Sequence, residues 1–249
     1  MSGRACLGLG IVLATSSARA DGANANRFAL ELGGVRYGLA SVSTTTNAPG
    51  PQHLLVTTQD VAPPLVGLVS TFAQGKLVKK DLRLASGAVV RKANDARLAS
   101  VKLPAMGSGG AADIELAFVA SALTTQPLLS AKESPLLPAA ARITGFRIDV
   151  SGLHAIEAPK LDAITLIQKA DGNVTTGDIA FEAGAGGALP FTSWHKAKTP
   201  RTVRIEYVGS DGKAILEIQL DRCTTVSITP RGANGTTRIA LTCANVHAT

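Results

Sequence analysis

Two long alternating hairpin patterns constrain this chain most. The first runs from Arg97 to Leu123, RLASVKLPAMGSGGAADIELAFVASAL. Ala99, Val101 and Leu103 share one face of its first strand, and Ile114, Leu116 and Phe118 share one face of its second. A period of two places successive side chains on opposite faces, so each strand has one face fit for a core. Pro104 closes the first strand and Gly107 to Gly110 supplies a Gly-rich connection. The second pattern runs from Ala214 to Val246, with Pro230 and the RGANG stretch Arg231 to Gly235 in the same places. A chain that presents the same strand–turn–strand plan twice is expected to be built from two similar units.

The rest of the sequence fits that plan. Phe28, Leu30 and Leu32 alternate before a Gly33-Gly34 turn signal, and Val35 to Val42 reads as the returning strand. Thr44 to Gln52 reads as a loop and Leu54 to Thr58 as a short strand. Val61 to Gly75 changes period: Leu65, Leu68, Val69 and Phe72 take helical spacing, with prolines at the start and glycine at the stop. Lys76 to Leu84 and Gly87 to Ala93 read as strands, with a turn at Asn94-Asp95. Phe146, Ile148 and Val150, Ala163 to Gln168, Ile179 to Phe181, and Thr202 to Val208 read as strands of a second unit, and Leu189 to Lys196 as its short helix. The predicted fold is mostly β, in two tandem antiparallel β-barrel or sandwich units, each with one short helix. The expected divisions are 1–20, 21–123, a Pro-, Ala- and Ser-rich connection over 124–141, and 142–249.

Residues 1–20 carry the pattern of a secretory signal peptide: Arg4, the apolar run Leu7 to Ala14, and Ala18-Arg19-Ala20 as a cleavage site. Export is therefore expected, to the periplasm, the cell surface or the medium, with no membrane span once the leader is removed. The leader holds Arg4 and Arg19 and no acid, so the net charge of +7 falls by two on its removal. The remaining basic residues are dispersed, and aromatics are 4% of the chain. Nucleic-acid binding is not predicted from such a pattern, since clustered charge and stacking rings are wanting.

Cys223 and Cys243 remain after the leader, an even pair in a chain expected to be exported. They are candidates for a disulfide, with two buried thiols as the alternative. Parity stands against the bridge, because Cys223 falls on the opposite face from Leu216, Ile218, Leu220, Val226 and Ile228. A bulge near Asp221-Arg222 would realign it.

Chemistry-bearing motifs are sparse. His53, His154, His195 and His247 have no ligand-type spacing, and no CxxC, HExxH, calcium-loop or GxSxG pattern occurs. No cofactor and no metal is predicted, and the chain is not expected to be an enzyme. Trp194 is read mainly as a core residue and otherwise as a partner contact. Lys76, Lys79 and Lys80 form the densest basic cluster, a solvated strand edge or a polyanion-facing patch.

The order of elements resembles the tail-tube proteins of contractile phages, which share a fold with the hemolysin-coregulated tube protein of type VI secretion. The residues that carry this are FALELGGV at Phe28 to Val35, FAQGKLVKKD at Phe72 to Asp81, and LPA at Leu103 to Ala105 followed by DIELAF at Asp113 to Phe118. FRIDVSGL at Phe146 to Leu153 and Ser193-Trp194 give a looser second match. The resemblance implies β-barrel protomers that pair strand edges into rings stacked as a tube. It implies self-association, or association with other tube or envelope proteins, through protomer–protomer sheet contacts. The alternative is a secreted or periplasmic monomeric module that binds a carbohydrate or a protein.

Overall fold

The computed structural model describes residues 16–19, 28–32, 35–38, 41–46, 51–59, 61–86, 89–107, 112–127, 141–153, 156, 158–184, 187–231 and 235–249. The fold is mostly β, with two antiparallel sheets and, among the described residues, two helices.

The first sheet draws on β1 (Ser16–Arg19), β2 (Phe28–Leu32), β3 (Val35–Gly38), β4 (Ser41–Thr46), β5 (Gln52–Thr58), β6 (Lys79–Ser86), β7 (Val89–Leu103), β8 (Ile114–Ala120) and β9 (Thr124–Pro127). The second draws on β10 (Gly145–Val150), β11 (Lys160–Leu161), β14 (Ile179–Ala183), β15 (Arg201–Val208), β16 (Ala214–Arg231), β17 (Thr236–Thr242) and β18 (Asn245–Ala248). Helix α1 (Pro63–Ala73) lies between β5 and β6, and α2 (Ala188–Ala197) between β14 and β15.

Strand order is the same around both helices. One path runs β4-β5-β8-β7-β6-β2 and the other β11-β14-β17-β16-β15-β10. A short strand then covers the early part of each long strand: β9 on Val89–Lys92 of β7, and β18 on Ile218–Asp221 of β16. The irregularities coincide too. Asp95 of β7 (φ 51°) and Arg222 of β16 (φ 53°) sit in the left-handed region beside register shifts against β6 and β15. A second shift follows in each, between Leu98 and Ser100 and between Thr225 and Ser227. The expected turn at Asn94-Asp95 is thus a bulge, and the strand runs through it: an extra residue bends a strand without ending it.

Alternation decides which side chains are buried. On β8, Ile114, Leu116, Phe118 and Ala120 point inward, against Ala93, Ala96, Leu98, Val101 and Leu103 of β7. Helix α1 starts on proline, whose missing N–H costs nothing in the first turn, and buries Leu65, Leu68, Val69 and Phe72. Helix α2 buries Phe191 and Trp194. Phe191 meets Phe181 edge-on at 5.5 Å between ring centroids, an arrangement favoured by the ring quadrupoles.

Strand pairing does not respect the expected boundary between two units. β12 (Ile164–Gln168) and β13 (Val174–Thr176), which fall within 142–249, join the first sheet. The reason lies in strand length. β6 pairs with β7 only as far as Arg97, and the outer edge of β7 beyond that point is taken by β12. One continuous cluster of buried side chains runs through both sheets. The expected connection over 124–141 also begins with paired strand, since Thr124–Pro127 is β9. Most of the expected leader lies outside the described residues; Ser16–Arg19 form β1 against β4.

Candidate functional site

The feature with the most built-in detail is the joint between β12 and β7. Ile164 stands opposite Leu103, Thr165 opposite Lys102, Leu166 opposite Val101 and Ile167 opposite Ser100. Ile164, Leu166, Val101 and Leu103 are all buried, so the joint combines ladder hydrogen bonds with an apolar face. Beyond β7 the contact continues: Met106 and Leu161 exchange backbone hydrogen bonds of 2.8 and 3.0 Å. Gly107 (φ 95°) follows, where a Cβ would run into the Pro159 carbonyl oxygen, so the close approach requires glycine.

Polar side chains seal the flanks of the joint. The Gln168 amide Nε2 donates to the carbonyl oxygens of Gly75 (3.1 Å) and Gly172 (3.2 Å). The buried Tyr207 hydroxyl donates to the Pro104 carbonyl at 3.4 Å. Burial pushes the Tyr207 hydroxyl well above the ordinary tyrosine range, because its charged form would lose water without gaining a cation. The Ser70 hydroxyl on α1 donates to the Ala248 carbonyl of β18. None of these residues stood out in the sequence. Gln168 offered one signal, an amide at an inward position of the alternating ITLIQ run.

The matching edge lies on β16. β15 pairs with β16 as far as Cys223, and β17 covers the other side of residues 224–231. On the β15 side, residues 226–231 have no strand partner among the described residues. Ser227, Ile228, Thr229 and Pro230 there match Ser100, Val101, Lys102 and Leu103, since Thr225–Leu241 and Ser227–Ala240 pair as Leu98–Phe118 and Ser100–Ala117 do. Pro230 is exposed, whereas Leu103 at the matching point is 0% exposed beneath β12, and Val226 beside it is 48% exposed. Pro230 suits such a place, as proline belongs on strand edges. Helix α2 borders this edge through His195, whose Nδ1 lies 2.9 Å from the Thr225 hydroxyl and 3.2 Å from its carbonyl oxygen.

The residues singled out in the sequence separate in space. Cys223 and Cys243 are bonded, with Cα atoms 4.0 Å apart. The bulge at Arg222 sets the parity that allows it, and Cys223 is fully buried. Trp194 is not a surface contact. It is 2% exposed, its Nε1 donates to the Thr199 carbonyl at 2.6 Å, and the Arg201 guanidinium lies 5.9 Å from its ring centroid. Burial in the core beneath α2 takes its ring out of a partner's reach.

Lys76, Lys79 and Lys80 are exposed, the first just before β6 and the other two at its start. Lys79 stands opposite Arg97, and Arg83 opposite Lys92. Arg83 has an acidic neighbour, Glu31 at 3.5 Å. The first sheet also pairs Lys102 with Glu115 at 3.9 Å, and the second carries Arg147–Glu206, Arg204–Glu206 and Arg204–Glu217 pairs of 3.5 to 3.8 Å.

The histidines are dispersed. His53 is exposed on β5, His195 borders Thr225, His247 lies 3.3 Å from Asp221, and His154 lies outside the described residues. Among the described residues, no three His, Cys, Asp or Glu side chains gather as a metal site would require. No described helix is long and apolar enough to cross a membrane. No protein-family model matches the chain, and no curated protein matches it either.

Proposed function

We propose that this protein is an exported structural subunit that works by assembling with copies of itself through sheet-edge contacts, on a plan like that of tail-tube subunits. One observation carries the reading: β12 completes the edge of β7, while the matching edge of β16 has no strand partner among the described residues. The edge that β12 closes on β7 thus has an unfilled counterpart on β16 among the described residues, which a strand of another copy can take. Such head-to-tail contacts generate rings or filaments. The shared strand order and coincident bulges support a duplicated unit, and the Cys223–Cys243 bond is in keeping with an oxidising compartment.

The test is the mass of the purified protein in solution, by light scattering and analytical ultracentrifugation, together with negative-stain microscopy. Discrete oligomers, rings or tubes support the proposal. A monomer at every concentration up to the solubility limit overturns it and favours a solitary binding module.

A further inference from the structure

We infer that the outer edge of β16 and the neighbouring face of α2 form a docking surface, and that its occupant is the β9 side of a second copy of this chain. The inference rests on the assembly reading above and gives it a location. The argument starts from the contact between α1 and β18, where the Ser70 hydroxyl donates to the Ala248 carbonyl. β18 also touches β13, the neighbour of β12, and Gln168 of β12 reaches Gly75 just beyond α1, so the joint has two components: a strand on an open edge, and a helix against a short covering strand.

The second sheet holds the helix-and-edge half of the same arrangement. In α1, Val69 and Phe72 are buried; in α2, Phe191 and Trp194 are buried at the same spacing. Matching these pairs puts Thr192 where Ser70 stands. Thr192 is exposed and has no partner outside its own helix among the described residues. Beside α2, β16 offers exposed Val226, Thr229 and Pro230, and Leu189 of α2 is 76% exposed.

The first sheet holds a counterpart of the covering strand. β9 occupies on β7 the place that β18 occupies on β16. Thr125 stands opposite Arg91, and Ala248 opposite Ile218; each of those partners lies four residues before its left-handed bulge residue, Asp95 or Arg222. Thr125 therefore matches Ala248. All four residues of β9 are exposed, whereas Val246 and Ala248 of β18 are buried. Among the described residues, the exposed β9 and the exposed face of α2 are complementary by the precedent of β18 and α1. Two copies can join this way.

The experiment uses the full chain with Thr192→Cys in one preparation and Thr125→Cys in another. Both positions are exposed, so folding is preserved, and circular dichroism checks it. Under mild oxidation, a mixture of the two variants is expected to give a disulfide-linked dimer that neither forms alone, and the double variant a ladder of higher species. Val226→Glu is expected to weaken association by about tenfold or more, because a carboxylate buried in the contact loses its water without gaining a partner. Oligomers in the unmodified protein without a Thr192–Thr125 cross-link overturn this surface and leave the assembly reading standing. A strictly monomeric protein overturns both.

Discussion

Cys223 and Cys243 have silent counterparts in the first sheet. Thr224 pairs with Thr242 next to the bridge, and Arg97 pairs with Val119 at the matching place, which makes Ala96 and Ala120 the equivalents of the two cysteines. Both alanines are buried, at 0% and 2% exposure. The double substitution Ala96→Cys/Ala120→Cys is therefore expected to form a second disulfide without repacking. Mass spectrometry after alkylation, with and without reductant, reads its formation. A rise in stability of up to about 3 kcal/mol is expected from the loop it closes. Failure of the two thiols to bond would count against the structural equivalence of the two long strands.

Tyr207 gives a second test at the level of single side chains. In the unfolded chain a tyrosine ionises near pH ~10, while the buried hydroxyl of Tyr207 keeps its proton to higher pH. The unfolded state thus binds fewer protons above pH ~10, and stability falls there by about 1.4 kcal/mol per pH unit from this group. Below pH ~10 the group is neutral in both states and contributes no slope. Chemical denaturation at pH 9 and 11 should show a steeper loss for the natural protein than for Tyr207→Phe. Equal slopes would mean that the hydroxyl reaches water.

At the scale of elements, the sequence was informative where alternation was regular and silent where partners had to be chosen. The β7–β8 and β16–β17 hairpins, the helix around Leu65 to Phe72 and the shorter one around Trp194 were all legible, because one-sided apolar patterns fix element type; the register shifts at Leu98/Ser100 and Thr225/Ser227 nonetheless take Ala99 and Val226 off the face where strict alternation puts them. Even the bulge at Arg222 was legible from the wrong parity of Cys223. Ile164 to Gln168 was recognisable as a strand, yet nothing in ITLIQ says that it crosses to β7. Strand pairing depends on which edges the rest of the fold leaves free, and that is a long-range property. Asn94-Asp95 misled for a related reason: residues that favour turns also tolerate the left-handed conformation of a bulge. The surface proposed for assembly was equally hidden, because an open edge is defined by the strand that is missing beside it.

The β12 strand can be weighed directly. Leu166 is 0% exposed and Ile167 on the other face is 49% exposed. Leu166→Ala should cost about 2–5 kcal/mol through lost burial and the cavity left behind, while Ile167→Thr, at a surface position, should stay within about 0.5 kcal/mol. Urea denaturation followed by tryptophan fluorescence distinguishes the two. Similar costs would mean that β12 does not pack against β7 in solution.

For the whole molecule, the continuous core and the β7–β12 joint make the two sheets one cooperative unit. Calorimetry should record a single unfolding transition whose calorimetric and van't Hoff enthalpies agree. Leu166→Pro, which removes a ladder donor and the buried side chain together, is expected to split it into two. Two transitions in the unmodified protein would show that the sheets fold independently.

The crossing of β12 also bears on how the protein comes into being. Residues 100–103 wait for residues 164–167, and α1 meets a carbonyl 178 residues further along the chain. Contacts so distant in sequence form late and slowly. While the polypeptide is still emerging, the edge of β7 has been made and its neighbour has not. In that interval a nascent chain is open to the wrong strand, including the same segment of another copy. Order of synthesis, and whatever keeps neighbouring nascent chains apart, then decides whether each β7 is closed by its own chain.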